Sequence, residues 1–187
     1  MTTKLTQRYQ QALSLATQLH ATQTRKGGIP YITHLVSVSE LVLEDGGDED
    51  QAIAALLHDA VEDQGGAKSL AVIKEKFGDR VAAIVSSCSE SDTQPKPPWR
   101  DRKECYIKQM RQANIAVHRV SLADKLDNLR SIHTMLKQEG SIAWKRFKGD
   151  REQSLWFYHE LFNIYQVKYQ SPMLREYARI LNAIEQY

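Results

Sequence analysis

His58-Asp59 and Glu62-Asp63 put one imidazole and three carboxylates into a single short stretch, Leu56-Leu57-His58-Asp59-Ala60-Val61-Glu62-Asp63. Residues three and four apart share a helix face. The four polar groups therefore crowd one side, while Ile53, Leu56, Leu57, Ala60 and Val61 pack elsewhere. Carboxylates this close repel one another unless a cation or a basic partner intervenes. A divalent metal is the economical explanation, and spare carboxylates beside a metal suit hydrolysis. Glu62 and Asp63 are then placed to hold and orient the attacking water. The competing reading is a solvated acidic turn at a helix C-terminus, where the helix dipole disfavours acidic residues.

Two further segments carry chemistry. In Gln23-x-Arg25-Lys26-Gly27-Gly28-x-Pro30-Tyr31-Ile32-x-His34, a histidine enters a helix just after a basic glycine turn. The histidine could ligate a metal, and the Arg, Lys and backbone N–H groups could face an anion. Taken alone, the segment also reads as a solvated loop before a buried His. In Ser121 to Ser131, Asp124, Asn128 and Ser131 fall at i, i+4 and i+7. They form a polar stripe on a helix whose core side, Val117, Val120, Leu122, Leu126, Leu129, Ile132 and Leu136, is apolar. Such a stripe needs partners or water. Asp124 would be a further ligand, and Asn128 and Ser131 could bind substrate hydroxyls or phosphate. Together the segments supply His34, His58, Asp59 and Asp124. Two imidazoles and two carboxylates suit Mn²⁺, Fe²⁺ or Zn²⁺, not the all-oxygen cage that Ca²⁺ prefers.

Helices must position these groups, and nearly every segment has helical periodicity. The first helix runs from about Leu5 to Gln23 and breaks at Gly27-Gly28-Ile29-Pro30. Another covers His34 to Glu44. Asp48 and Gln51 have capping-box spacing and start the helix expected to carry His58 as far as Gly65-Gly66. Lys68 to Phe77 and Arg80 to about Ser87 follow. Ser89 to Pro98, polar and proline-containing, is a loop. Arg100 to Arg111 and Ile115 to Lys137 are helices. Ser154 to Tyr169 and Pro172 to Ile184 complete the chain, with Pro172 suited to a first turn. The longest strand-like run, Val81 to Val85, also suits a helix. The expected fold is all-α: a single domain over 1–187, with the motifs between about 20 and 131 and helices of 140–187 packing on them.

The chain has 187 residues, enough for one sizeable core, and a formal net charge of +2. That near balance argues against nucleic acid as a partner. Cys88 and Cys105 form no CxxC pair and read as idle thiols. No secretory signal or membrane-length apolar run is visible, so a soluble, cytoplasmic protein is expected. The sequence carries no signal of oligomeric state.

The pattern H…H-D…D resembles that of HD-domain metal-dependent phosphohydrolases. The fuller pattern is R-K-x-G-x-P-Y-I-x-H, L-L-H-D-x-V-E-D and L-A-D-K-L-x-N-L-R. It is similar to the hydrolase domain of RelA/SpoT-type enzymes and the small alarmone hydrolases, from about His20 to Ser131. The resemblance implies one Mn²⁺ on His34, His58, Asp59 and Asp124, with Glu62 and Asp63 serving the water. It implies Arg25 facing a purine, Lys26 on the base or phosphate side, and Asn128 and Ser131 at the ribose or phosphates. The implied reaction removes pyrophosphate from the 3′ position of (p)ppGpp or an analogue such as (p)ppApp. Alternatives are an HD nucleotidase or phosphodiesterase, or an alarmone sensor without turnover. A chain ending at Tyr187 is not expected to synthesise alarmone.

Asp92 to Lys103 has no secure counterpart in the long enzymes. Lys96, Arg100, Arg102 and Lys103 could reach 5′ phosphates, but a surface role is the preferred expectation. His20, His118, His133 and His159 read as core-edge or supporting residues. Trp144, Phe147, Trp156, Phe157 and Tyr158 read as packing, with Tyr158 the one to check against a pocket. Lys145, Arg146, Lys148 and Arg151 form a basic cluster beside them.

Overall fold

The structure is a computed structural model that describes residues 3–91 and 95–187. It is all-α: among the described residues there is one isolated bridge, Thr24 to Pro30, and no strand. Asp92, Thr93 and Gln94 of the segment without a secure counterpart lie outside the described residues.

The helices in order are α1 (Gln7–Leu19), α2 (Ile32–Glu44), α3 (Glu49–Leu57), α4 (Ala60–Asp63) and α5 (Ala67–Phe77). They continue with α6 (Asp79–Cys88), α7 (Trp99–Gln112), α8 (Ile115–Glu139), a 3-10 helix (Gly140–Arg146), α9 (Arg151–Lys168) and α10 (Pro172–Ile184). Their starts follow local chemistry. Side chains of Thr6, Asp48, Asn114, Asp150 and Ser171 accept backbone N–H groups at the starts of α1, α3, α8, α9 and α10. Gly78 joins α5 to α6 at φ +91°, a conformation that costs other residues energy.

α3 is the centre. Every residue from Ala52 to Leu57 is buried with no exposed surface, as expected for a helix apolar all round. It is flanked by α1, α2, α6 and α8. α10 packs on α8 and α9, so the C-terminal helices share the same continuous core.

One expectation needs correction. The helix that begins at Asp48 does not run unbroken to Gly65. It ends at Leu57, and His58 and Asp59 form the corner before the short α4. Both residues keep right-handed helical backbone angles, so their convergence comes from the reach of the two side chains. At the corner, His58 Nε2 and Asp59 Oδ2 stand 3.1 Å apart.

Candidate metal centre and nucleotide cavity

Three elements meet at one point. α2 brings His34 in its first turn, the α3–α4 corner brings His58 and Asp59, and the middle of α8 brings Asp124. Ligand atoms of His34, His58 and Asp59 lie within 4.8 Å of one another. Asp124 Oδ1 joins them, 3.3 Å from His34 Nε2 and 3.6 Å from His58 Nε2. His34 Nε2 is 3.6 Å from Asp59 Oδ2.

The second nitrogen of each imidazole sets which face it turns to this point. His58 Nδ1 donates to the Ala55 carbonyl at 2.8 Å, and its buried Nε2 has no hydrogen-bond partner. His34 Nδ1 is 2.6 Å from Asp127 Oδ2, and Ser37 Oγ donates to the other Asp127 oxygen at 2.6 Å. Each ring thus directs an Nε2 lone pair inward, the arrangement a metal ligand requires. A buried nitrogen without a partner is otherwise costly, so this donor set fits a divalent cation.

The carboxylates are equally fixed. Tyr31 donates its hydroxyl to Asp59 Oδ2 at 2.7 Å. Asn128 Nδ2 donates to Asp124 Oδ1 at 2.6 Å, and Lys125 Nζ to Oδ2 at 2.7 Å. Burial pushes the Asp59 carboxyl up, but the positive charge of a protonated His58 outweighs it and holds the group well below the usual range. Asp124 is likewise raised by burial and held low by Lys125 and His58. For His58, burial disfavours the imidazolium, yet Asp59 and Asp124 win and raise its pKa. The potential that favours a proton there favours any cation there.

Glu62 and Asp63 stand beside this cluster and share one ammonium. Lys96 Nζ is 3.0 Å from Glu62 Oε1 and 3.2 Å from Asp63 Oδ1. Burial and the charge of Glu90 raise the Glu62 pKa, with Lys96 opposing. The preferred surface role for the basic segment therefore fails at three of its four residues. Lys96 sits over the acidic pair. Arg102 is buried and donates to Glu90 at 2.8 Å, and Lys103 pairs with the same carboxylate. Only Arg100 lies outside, paired with Glu104 and stacked 3.4 Å over the Trp156 ring.

A cavity of about 420 Å³ opens from the cluster, and Asp59, Glu62, Asp63 and Asp124 form its acidic end. Lys26, Arg102, Lys103 and Lys148 supply cations along it. Trp99, Phe147, Phe157 and Tyr158 supply aromatic wall. Trp99 lies so close over Gly149 that a Cβ there would stand 2.8 Å from the ring. An adjoining cavity of about 310 Å³ is lined by Arg25, Lys26, Asn128, Ser131 and Met135, and shares Phe147 and Tyr158 with the first. Both volumes suit small-molecule sites, which run roughly 300–1,000 Å³.

Arg25 is tied inward, donating to Asp127 Oδ2 at 2.9 Å and to Asn128 Oδ1 at 3.1 Å. Lys26 lies 3.5 Å over the Phe147 ring. Its pKa is lowered to about 8 by burial and by the charges of Arg25 and Lys148.

The structure thus gathers His34, His58, Asp59 and Asp124 at one point and sets Glu62 and Asp63 beside it. It places Arg25, Lys26, Asn128 and Ser131 on the cavities. Sequence reasoning gave no role to Tyr31, Glu90, Lys125 and Asp127, and assigned Phe147 and Phe157 to packing alone. Asp127 and Lys125 were detectable as further polar positions on the apolar α8. Glu90 had no such signal. No helix among the described residues is long and apolar enough to cross a membrane.

The HD domain family pattern matches residues 12–148. The bifunctional (p)ppGpp synthase/hydrolase SpoT of Escherichia coli (strain K12) is 34% identical over 134 residues, covering 68% of this chain and 18% of that protein. The chain spans 16% to 18% of the length of the first curated relatives it matches. A crystal structure from Listeria monocytogenes EGD-e is 34% identical with a TM-score of 0.74, over 82% of this chain and 99% of that one. The structure of a metazoan ortholog of SpoT that hydrolyzes ppGpp shares the fold, with a TM-score of 0.80 at 23% identity over 97% of this chain and 98% of that one. With the family pattern matching most of its length and an all-helical architecture, the chain belongs to the HD domain family.

Proposed function

We propose that this protein is a Mn²⁺-dependent hydrolase that removes the 3′-pyrophosphate of (p)ppGpp or a close purine analogue such as (p)ppApp. The observation that carries the reading is the convergence of His34, His58, Asp59 and Asp124 at the acidic end of a cation-lined cavity. The likeness to a stretch of the bifunctional (p)ppGpp synthase/hydrolase SpoT supports the substrate class.

A bound divalent ion would be held by those four residues, lower the pKa of water and polarise the 3′ phosphoryl group. Glu62 and Asp63 take the proton of the attacking water. The water oxygen forms the new bond to phosphorus, the bond from phosphorus to the 3′ oxygen breaks, and that oxygen leaves with a proton as the 3′ hydroxyl. Pyrophosphate is released intact. Lys26, Arg102, Lys103 and Lys148 offset the phosphate charge. Arg25, Asn128 and Ser131 hold the nucleoside end in the adjoining cavity.

The test is a panel of purine nucleotides with and without 3′-diphosphates, incubated with Mn²⁺ and analysed for products. Mn²⁺-dependent release of pyrophosphate supports the reading. Orthophosphate from mononucleotides would make the protein a general HD nucleotidase, and tight binding without turnover would make it a sensor.

A further inference from the structure

Asp63 closes the four-residue α4 and is the most exposed acidic group at the metal centre, with a quarter of its side chain open. Such a carboxylate needs a support to keep one direction. Lys96 holds Oδ1. The other oxygen, Oδ2, accepts from Gln23 Nε2 at 2.9 Å. Gln23 lies forty residues away, in the turn after α1.

The amide of Gln23 has its orientation set from three sides. Asp63 demands a donor. On the opposite side, Gln23 Oε1 lies 2.8 Å from Gln64 Nε2 and 2.7 Å from His20 Nδ1. An oxygen between two N–H donors and an NH₂ facing a carboxylate satisfy the amide of Gln23. The flipped amide would set oxygen against carboxylate. His20 is itself buried and stacks on Tyr31 with ring centroids 5.2 Å apart. Tyr31 holds Asp59. One buried ring thus braces both Gln23 and the tyrosine that holds a metal ligand.

From these contacts we infer that Gln23 is a positioning residue for the hydrolytic step. It fixes Asp63 so that this carboxylate, and not bulk solvent, orients the attacking water, and His20 fixes Gln23. The inference rests on the proposed hydrolase reading, in which Asp63 handles water. Gln23 lines neither of the two cavities, and its side-chain amide meets the acidic pair at Asp63.

A double-mutant cycle tests this, with kcat, KM and Mn²⁺ affinity measured for Gln23→Ala, Asp63→Ala and the pair. Gln23→Ala is expected to lower kcat about 10- to 100-fold, the scale of a misplaced reacting group, with KM and Mn²⁺ affinity unchanged. In the Asp63→Ala background it is expected to cost nothing further. Gln23→Glu keeps the size and the acceptor facing His20 and Gln64 while turning the Asp63 side repulsive, so it is expected to lose at least as much rate in a folded protein. Effects of Gln23 and Asp63 that multiply, or a Gln23→Glu enzyme with wild-type kcat, would overturn the inference alone. Full kcat in Asp63→Ala would instead sink the role of Asp63 in the proposed reaction, and the inference with it.

Discussion

His34 and Asp127, separated by 93 positions in the chain, are joined by a 2.6 Å contact between Nδ1 and Oδ2. That contact decides which nitrogen of His34 faces the metal centre. Asp127 is itself braced by Ser37 and Arg25. Asp127→Ala is therefore expected to weaken Mn²⁺ binding about 10- to 100-fold, the usual cost of losing a group that orients a ligand. Calorimetric titration with Mn²⁺ checks it, and unchanged affinity would show that His34 needs no such brace.

The proposed ligands and the proposed water-handling groups separate by what their loss removes. Asp59→Ala takes an oxygen from the cluster and is expected to abolish metal binding and activity together. Glu62→Gln keeps the shape and the ligand set, so bound Mn²⁺ is expected to stay stoichiometric while kcat falls ~10²–10⁴-fold, the range for a general base. Metal content by atomic emission, paired with initial rates, distinguishes the two. Full kcat in Glu62→Gln would remove Glu62 from proton transfer.

Arg25 lines the adjoining cavity, away from the reacting end. Its removal takes binding energy that ground state and transition state share, so Arg25→Ala is expected to raise KM with little change in kcat. A KM equal to wild type would place Arg25 outside the substrate site and leave it the structural partner of Asp127 and Asn128.

Stability has its own pH signature at the start of α3. Asp48 accepts from the Gln51 N–H at 3.0 Å and from Arg80 at 2.6 Å. Burial raises its pKa, but the hydrogen bonds from Arg80 and Gln51 outweigh that and lower it. A carboxyl depressed in the folded state stabilises above its unfolded value of about 3.9, and that contribution is lost as pH falls through the folded value. Asp48→Ala is expected to cost about 1 kcal/mol at pH 7, as for other N-caps. The gap to wild type is expected to shrink under acid. Urea unfolding at both pH values measures it, and a gap independent of pH would mean that the charge of Asp48 adds nothing.

Much of the site was legible because its signals are local. Apolar periodicity marked α8, and a polar stripe on it marked Asp124, Asn128 and Ser131. Asp48 and Pro172 marked helix starts to the residue. What escaped depends on contacts between distant segments. The helical pattern through Leu56, Leu57, Ala60 and Val61 continues across His58-Asp59, so it gave no warning of the break between α3 and α4. Arg102 and Lys103 read as surface because a run of charges usually is. Their partner Glu90 lies at the start of the polar Ser89 to Pro98 segment, and no periodicity links the two. Phe147 and Lys148 follow a short 3-10 helix that packs back on α8, a contact that no local pattern announces.

The metal centre is the claim on which the rest depends. Its most direct test is anomalous diffraction at the manganese edge from crystals soaked in Mn²⁺. The account predicts a single strong peak within bonding distance of His34 Nε2, His58 Nε2, Asp59 and Asp124, with an open position facing Glu62 and Asp63. Those four side chains ordered around no peak, or a peak held by other residues, would contradict it.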